Sequence, residues 1–254
     1  MKFITPFVDV GSAFKLIALI EAFILVALWF IEPIQLVPGP LEIAVKWNEL
    51  ATQEGLLVEL FNSAVTIGKA LVLSTVISFG VAYLSTIAVI KPVARWLTAL
   101  RFLGFAGITF FFTMWTSSGA ELKALMLTFG MTVFLMTNAM SMVEAITQAE
   151  VDYARTLKLS AWRTLWEIGI RGKLDQALDL IRQNAAMGWV MLSMVEGLVR
   201  SEGGIGAMLL NQNKHLHISA IFAIQITILA YGILQDIMLR YGRELACPYI
   251  KKGA

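Results

Sequence analysis

The chain has 254 residues, of which 58% are hydrophobic and 15% charged, with a formal net charge of +2 and a mean hydropathy of +0.74. That balance lies outside the norm of a soluble domain. The net charge is uninformative as a total, its distribution matters more, and no nucleic acid is expected as a partner. A single cysteine, Cys247, rules out an internal disulfide and a multi-cysteine metal site.

Taken in chain order, the first apolar run covers 13–31 and carries Lys15 and Glu21. No small-residue cleavage site follows a short apolar core, so the run reads as a retained helix. Glu21 is too short to reach the interface and is expected to be buried against another helix or a partner. Residues 32–61, with Pro33, Pro38 and Pro40, are too polar for lipid and predict an extended stretch followed by a short surface helix. Uncharged runs at 70–90, 102–120, 124–143 and 218–235 are each long enough to cross a bilayer. A further run at 177–199 is apolar but carries Asp179, Arg182 and Glu196. The expectation is an all-α polytopic membrane protein of about six spans, forming one domain over residues 1–254. Glycines and serines along the spans, among them Gly68, Ser74, Ser78, Gly80, Gly104, Gly107 and Gly130, predict close helix packing.

Lysine and arginine cluster in alternate segments. They gather at the N-terminus, around 91–101, in the long stretch 144–176 and in the tail, while acids dominate 32–61. By the positive-inside rule both termini and residues 144–176 face the cytoplasm of a bacterial-type inner membrane, and Lys69, Lys123, Arg200 and Lys214 belong to outer segments. Within the spans, Asp179 and Arg182 are three apart on a helix and are expected to pair. Lys69 is expected to snorkel to the outer interface. Glu196 reads first as a structural hydrogen-bonding group and second as part of a pathway or gate. Thr109, Thr113, Trp115, Thr116, Asn138, Asn184, Trp189 and Ser193 are candidate pathway linings. No P-loop, no histidine-rich constellation and no ligand set points to catalysis or to a metal. His215 and His217 lack a third ligand.

The most informative polar stretch is 151–170. Its helical pattern places Tyr153, Leu157 and Ala161 on one face and Trp162, Leu165 and Trp166 on an adjoining one, with Arg155, Lys158 and Arg163 at polar positions. Such a segment either lies on the inner leaflet or docks into a cytoplasmic partner.

Asp152, Ala154, Arg155, Thr156, Leu157, Ser160 and Trp162 stand where E-x-A-R-T-L-G-A-S-x-W runs in one family, and on them the chain resembles the permease subunits of ABC importers. The nearest branch carries nitrate, bicarbonate, sulfonates, taurine and similar anions. Ile181-Arg182, Gly188-Trp189, Val195-Glu196, Gly204-Ile205-Gly206 and the Val-Pro-Gly-Pro at 37–40 follow in the family's order, so the likeness runs over about 37–245. It implies a type I importer fold and a second permease subunit, identical or not. It also implies cytoplasmic ATPases that hold the ATP and Mg, with no cofactor in this chain, and an extracytoplasmic binding protein that delivers a small anionic solute. It casts Asp152, Tyr153, Ala154, Arg155, Thr156, Leu157, Lys158, Ser160 and Trp162 as ATPase-coupling residues. It casts Thr113, Thr116, Asn138, Asn184, Trp189, Ser193 and Glu196 as pathway residues. The rivals are an ATP-independent transporter or channel, a membrane-embedded enzyme and a divergent scaffold subunit. Lys158 replaces the family's turn glycine and Arg171 its closing proline, so the expectation here is a continuous helix through 158 or a bend elsewhere.

Overall fold

The computed structural model describes residues 38–248, together with Ile17, Leu19, Ile20, Glu21 and Ile24. Every regular element among the described residues is helical. Helix α1 (Pro40–Thr52) begins with proline in its first turn, where the missing N–H costs nothing. It is the short helix expected after the proline-rich stretch, and it buries Ile43 and Leu50. Helix α2 (Leu56–Leu84) is 29 residues long. After a turn come α3 (Lys91–Thr98), a 3-10 turn (Ala99–Phe102) and the short α4 (Phe105–Thr113). Helix α5 (Gly119–Glu144) starts where Ser118 accepts the Glu121 backbone N–H. Helix α6 (Gln148–Thr156) has a complete capping box, Thr147 with Glu150. Helix α7 (Ala161–Thr164) is capped by Ser160 and runs into a π-helical turn, Leu165–Arg171. Helices α8 (Leu174–Leu198), α9 (Ile205–Lys214) and α10 (Ile218–Ala246) complete the chain.

The core lies where α2, α5 and α8 pack together. Ile67 and Ala70 of α2, Leu127 and Met131 of α5, and Leu192 of α8 are almost wholly buried. Small residues let α2 and α5 approach: Ser63, Ala70, Ser74, Ser78 and Ala82 form the buried stripe of α2, and Ser78 Oγ donates to the Thr132 carbonyl at 2.9 Å. Of the glycines expected to pack closely, Gly130 is crowded, against α4 rather than α2: a Cβ there would stand 2.6 Å from the Phe105 ring. Gly68, Gly80, Gly104 and Gly107 have open space at the same position. The tight packing expected of them therefore falls on the serines and on Gly130.

Among the described residues, three helices are long and apolar enough to cross a membrane: α2, α5 and α10. The protein is thus all-helical with several helices of membrane-spanning length, which is consistent with a membrane protein. The run 102–120 does not form one straight helix. The segment Lys91–Phe102 is bent by 109° against Gly107–Thr113, and α4 has nine residues, about half a hydrocarbon core at 1.5 Å per residue. Residues 70–90 also shift: α2 begins fourteen residues earlier, at Leu56, and ends at Leu84. Helix α8 matches 177–199 in place but carries Asp175, Asp179, Arg182 and Glu196. The first apolar run and the Val-Pro-Gly-Pro turn lie outside the described residues, apart from Pro38–Pro40 and the five residues named above. Of those, Glu21 is helical and is not buried by another helix of the chain.

Candidate functional site

Two polar constructions stand out, one at each end of the bundle. The first is built around Glu196, which is fully buried. Its Oε1 accepts the Ser63 hydroxyl at 2.7 Å and lies 3.4 Å from Lys123 Nζ, while its Oε2 accepts the Gly206 N–H at 2.8 Å. Lys123 also donates to the Gly203 carbonyl at 3.0 Å. Glu59 accepts the Gly204 N–H at 2.6 Å, and Ser63 Oγ accepts that of Ile205 at 3.0 Å. The N–H groups of Gly204, Ile205 and Gly206, which open α9, are thereby taken up by side chains of α2 and α8, and two carboxylates meet the positive end of its dipole. Gly204 is indispensable: its φ is +108° and a Cβ would fall 2.2 Å from the Glu196 carboxyl carbon. One carboxylate thus ties α2, α5, α8 and α9 together.

Lys123, Ser63 and Glu59 have no place among the sequence-derived candidates. Lys123, assigned to an outer loop, is the fifth residue of α5 and is buried. The signal was present in the Ser118–Glu121 spacing, an N-terminal cap that starts the helix before Lys123 rather than after it. Lys69 is displaced as well. It is exposed near the middle of the 29-residue α2 rather than near its outer end.

The second construction is the helix-turn-helix of α6 and α7. Helix α6 stops at Lys158, which takes φ +55°. The Leu159 N–H bonds to the Ala154 carbonyl at 3.2 Å and the Lys158 N–H to that of Arg155 at 2.9 Å. Together these are the two bonds of a Schellman turn. The continuous helix expected from the loss of glycine does not form. Lysine takes up the left-handed conformation that glycine would hold more cheaply. The turn leaves Tyr153, Leu157, Trp162 and Trp166 at 67, 56, 68 and 55% exposure. Asp152, Arg155, Thr156, Lys158 and Ser160 are exposed beside them, and Ala154 is buried in the chain's own packing. A cavity of about 490 Å³ separates this segment from the ends of α2 and α5, lined by Ser85, Lys91, Glu144, Val151, Leu165 and Ile168.

Near the same end, α8 and α10 are joined by ion pairs. Arg182 bridges Asp179 at 3.1 Å and Asp236 at 2.6 Å. Arg243 reaches Asp175 and, at 2.9 Å, Asp179. The expected Asp179–Arg182 pair is present as one link in this longer chain.

The candidate pathway residues divide. Thr113 and Asn138 are exposed and Thr116 is half-buried. Thr113 and Thr116 spend their hydroxyl protons on carbonyls of their own turn. Asn138 borders a cavity of about 460 Å³ with Ser141, Asp175, Gln176, Asp179 and Arg243. Asn184, Trp189 and Glu196 are buried. Asn184 bonds Ser74 at 3.4 Å, and Trp189 donates to Gln235 at 2.6 Å while meeting Tyr231 edge-on. Half-buried Ser193 bonds the Trp189 carbonyl at 3.0 Å. The structure does not gather these residues around one opening. Among the described residues no group of three or more metal-ligating side chains converges. No family model matches the chain, and no curated protein matches it.

Proposed function

We propose that the chain is the membrane permease subunit of an ATP-driven importer for a small anionic solute. In this reading it has six spans in a type I arrangement, with both termini in the cytoplasm. It pairs with a second permease subunit, and a separate P-loop ATPase grips α6 and α7 from the cytoplasm. An extracytoplasmic binding protein delivers the solute. ATP and Mg stay on the ATPase, so this chain carries no catalytic group.

The observation that carries the reading is the exposure of Tyr153, Leu157, Trp162 and Trp166 on a helix-turn-helix among Arg155, Lys158 and Arg163. Large apolar side chains held outward on a charged segment are what a partner's groove buries. The turn at Lys158 is made despite the loss of glycine, so the two short helices keep a fixed angle through which force can pass. The ion pairs joining α8 to α10 give that end of the bundle a stiff base.

The test is gentle detergent extraction of the tagged chain from its host membrane. A P-loop ATPase should copurify in one-to-one ratio, and Tyr153→Arg with Leu157→Glu should lose it while the chain still elutes as a folded species. Absence of any such ATPase, or its retention by the double variant, would refute the reading.

A further inference from the structure

Helix α3 and its 3-10 turn present an apolar stripe that nothing among the described residues covers. Val93, Trp96, Phe102 and Leu103 are 58, 67, 78 and 54% exposed. The opposite side is anchored to the bundle. Ala94 is buried with Phe79, Ala82, Leu135 and Met136, and Leu97 packs against them. Lys91 and Arg95 are both held by Glu144 at the end of α5, at 3.6 and 2.8 Å. Arg101 is different. No carboxylate among the described residues pairs with it, and its guanidinium lies 4.9 Å above the Phe102 ring.

The direction of the segment fits these side chains. Lys91–Phe102 turns by 109° against Gly107–Thr113, so only one of the two can run along the bilayer normal. Helix α4 carries no charge and suits the hydrocarbon, which leaves α3 and its 3-10 turn, with Lys91, Arg95 and Arg101, near the membrane plane. An in-plane helix sinks its apolar side into the headgroup boundary and keeps its cations at phosphate level. Tryptophan is the side chain most at home at that depth. We infer that α3 and the 3-10 turn lie flat in one leaflet and that Arg101 binds the phosphate of an anionic lipid there. The site is independent of any ATPase and stands whether or not the chain is an importer.

The experiment places a fluorophore on Val93→Cys and reads it in nanodiscs. Cys247, the only native cysteine, is fully buried and is replaced by serine, or left in place as an unreactive thiol if that variant folds poorly. The nanodiscs contain brominated phosphatidylcholine or brominated phosphatidylglycerol at equal mole fraction. Bromine should quench the label while aqueous iodide does not. The anionic lipid should be enriched about fivefold around it, as one interfacial cation provides. Arg101→Gln should abolish that preference and keep the quenching. Quenching by iodide, shielding from both quenchers by an apposed protein, or equal quenching by the two lipids in the parent chain would each overturn the proposal.

Discussion

Lys123 Nζ stands 3.4 Å from Glu196 Oε1, and both side chains are nearly or wholly buried, at 9 and 0% exposure. Charges removed from water to this degree hold only when paired and hydrogen-bonded. Here the remaining capacity is met by Ser63, by Gly206 N–H and by the Gly203 carbonyl. Lys123→Met leaves the Glu196 carboxylate buried without its cation and should cost about 3–5 kcal/mol. Adding Glu196→Gln should recover part of that loss, because the amide keeps one acceptor oxygen for the Gly206 N–H, can donate its NH2 to Ser63 Oγ, and gives up the charge. Unfolding midpoints in detergent, measured on both single variants and the pair, check this. Additive losses would show that the two residues do not interact.

Gly204→Ala collides with Glu196, since the new Cβ lies 2.2 Å from its carboxyl carbon at a φ of +108°. The loop 203–206 should swing away and expose its backbone. Limited proteolysis is expected to gain a cut near residues 200–206 in this variant, with the rest of the chain resistant.

Lysine at position 158 sits at φ +55°, a conformation that costs an L-residue about 1–2 kcal/mol and glycine almost nothing. Lys158→Gly should therefore raise stability by about 1 kcal/mol, reduced from the full strain by glycine's larger unfolded-state entropy. Lys158→Val, branched at Cβ, should lower it. If the turn carries force to a partner, neither change need alter its angle. Thermal midpoints give the sign, and an unchanged midpoint for both variants would show that the turn does not form in solution.

Glu150 is held below the ordinary glutamate range by the backbone N–H of Thr147, then by the Thr147 hydroxyl, and further by Lys173. Its folded pKa is thus lower than its unfolded one. The cap's contribution is present above the unfolded value of 4.5 and fades as pH falls through the folded one. Amide exchange in the first turn of α6, corrected for intrinsic rates, should accelerate as the medium is acidified across that range. Glu150→Gln should flatten the dependence, and an unaltered profile in that variant would assign the effect elsewhere.

Much of the architecture is legible in the sequence. Helices α5 and α10 fall where uninterrupted apolarity demands them, and α8 where an apolar run carries charge, because hydropathy reports local composition and nothing more. That is also why 102–120 misled: glycine, serine and threonine barely alter an apolar average, yet Gly104 and Ser118 cap helices and split the run. The start of α2 was hidden by Asn62, Ser63 and Glu59, polar residues that lower the average although Ser63 is buried and Glu59 is bound.

Sequence alone determined the all-helical character, the spacing of the long apolar segments and the amphipathic pattern of 151–170, since each follows from side chains a few positions apart. Only the folded chain decided that Lys123 meets Glu196, that four helices share one carboxylate, and that Lys158 bends instead of extending a helix. The first two join residues distant in sequence, whose encounter depends on how the helices pack. The third depends on whether the energy of the surrounding turn outweighs one residue's own preference.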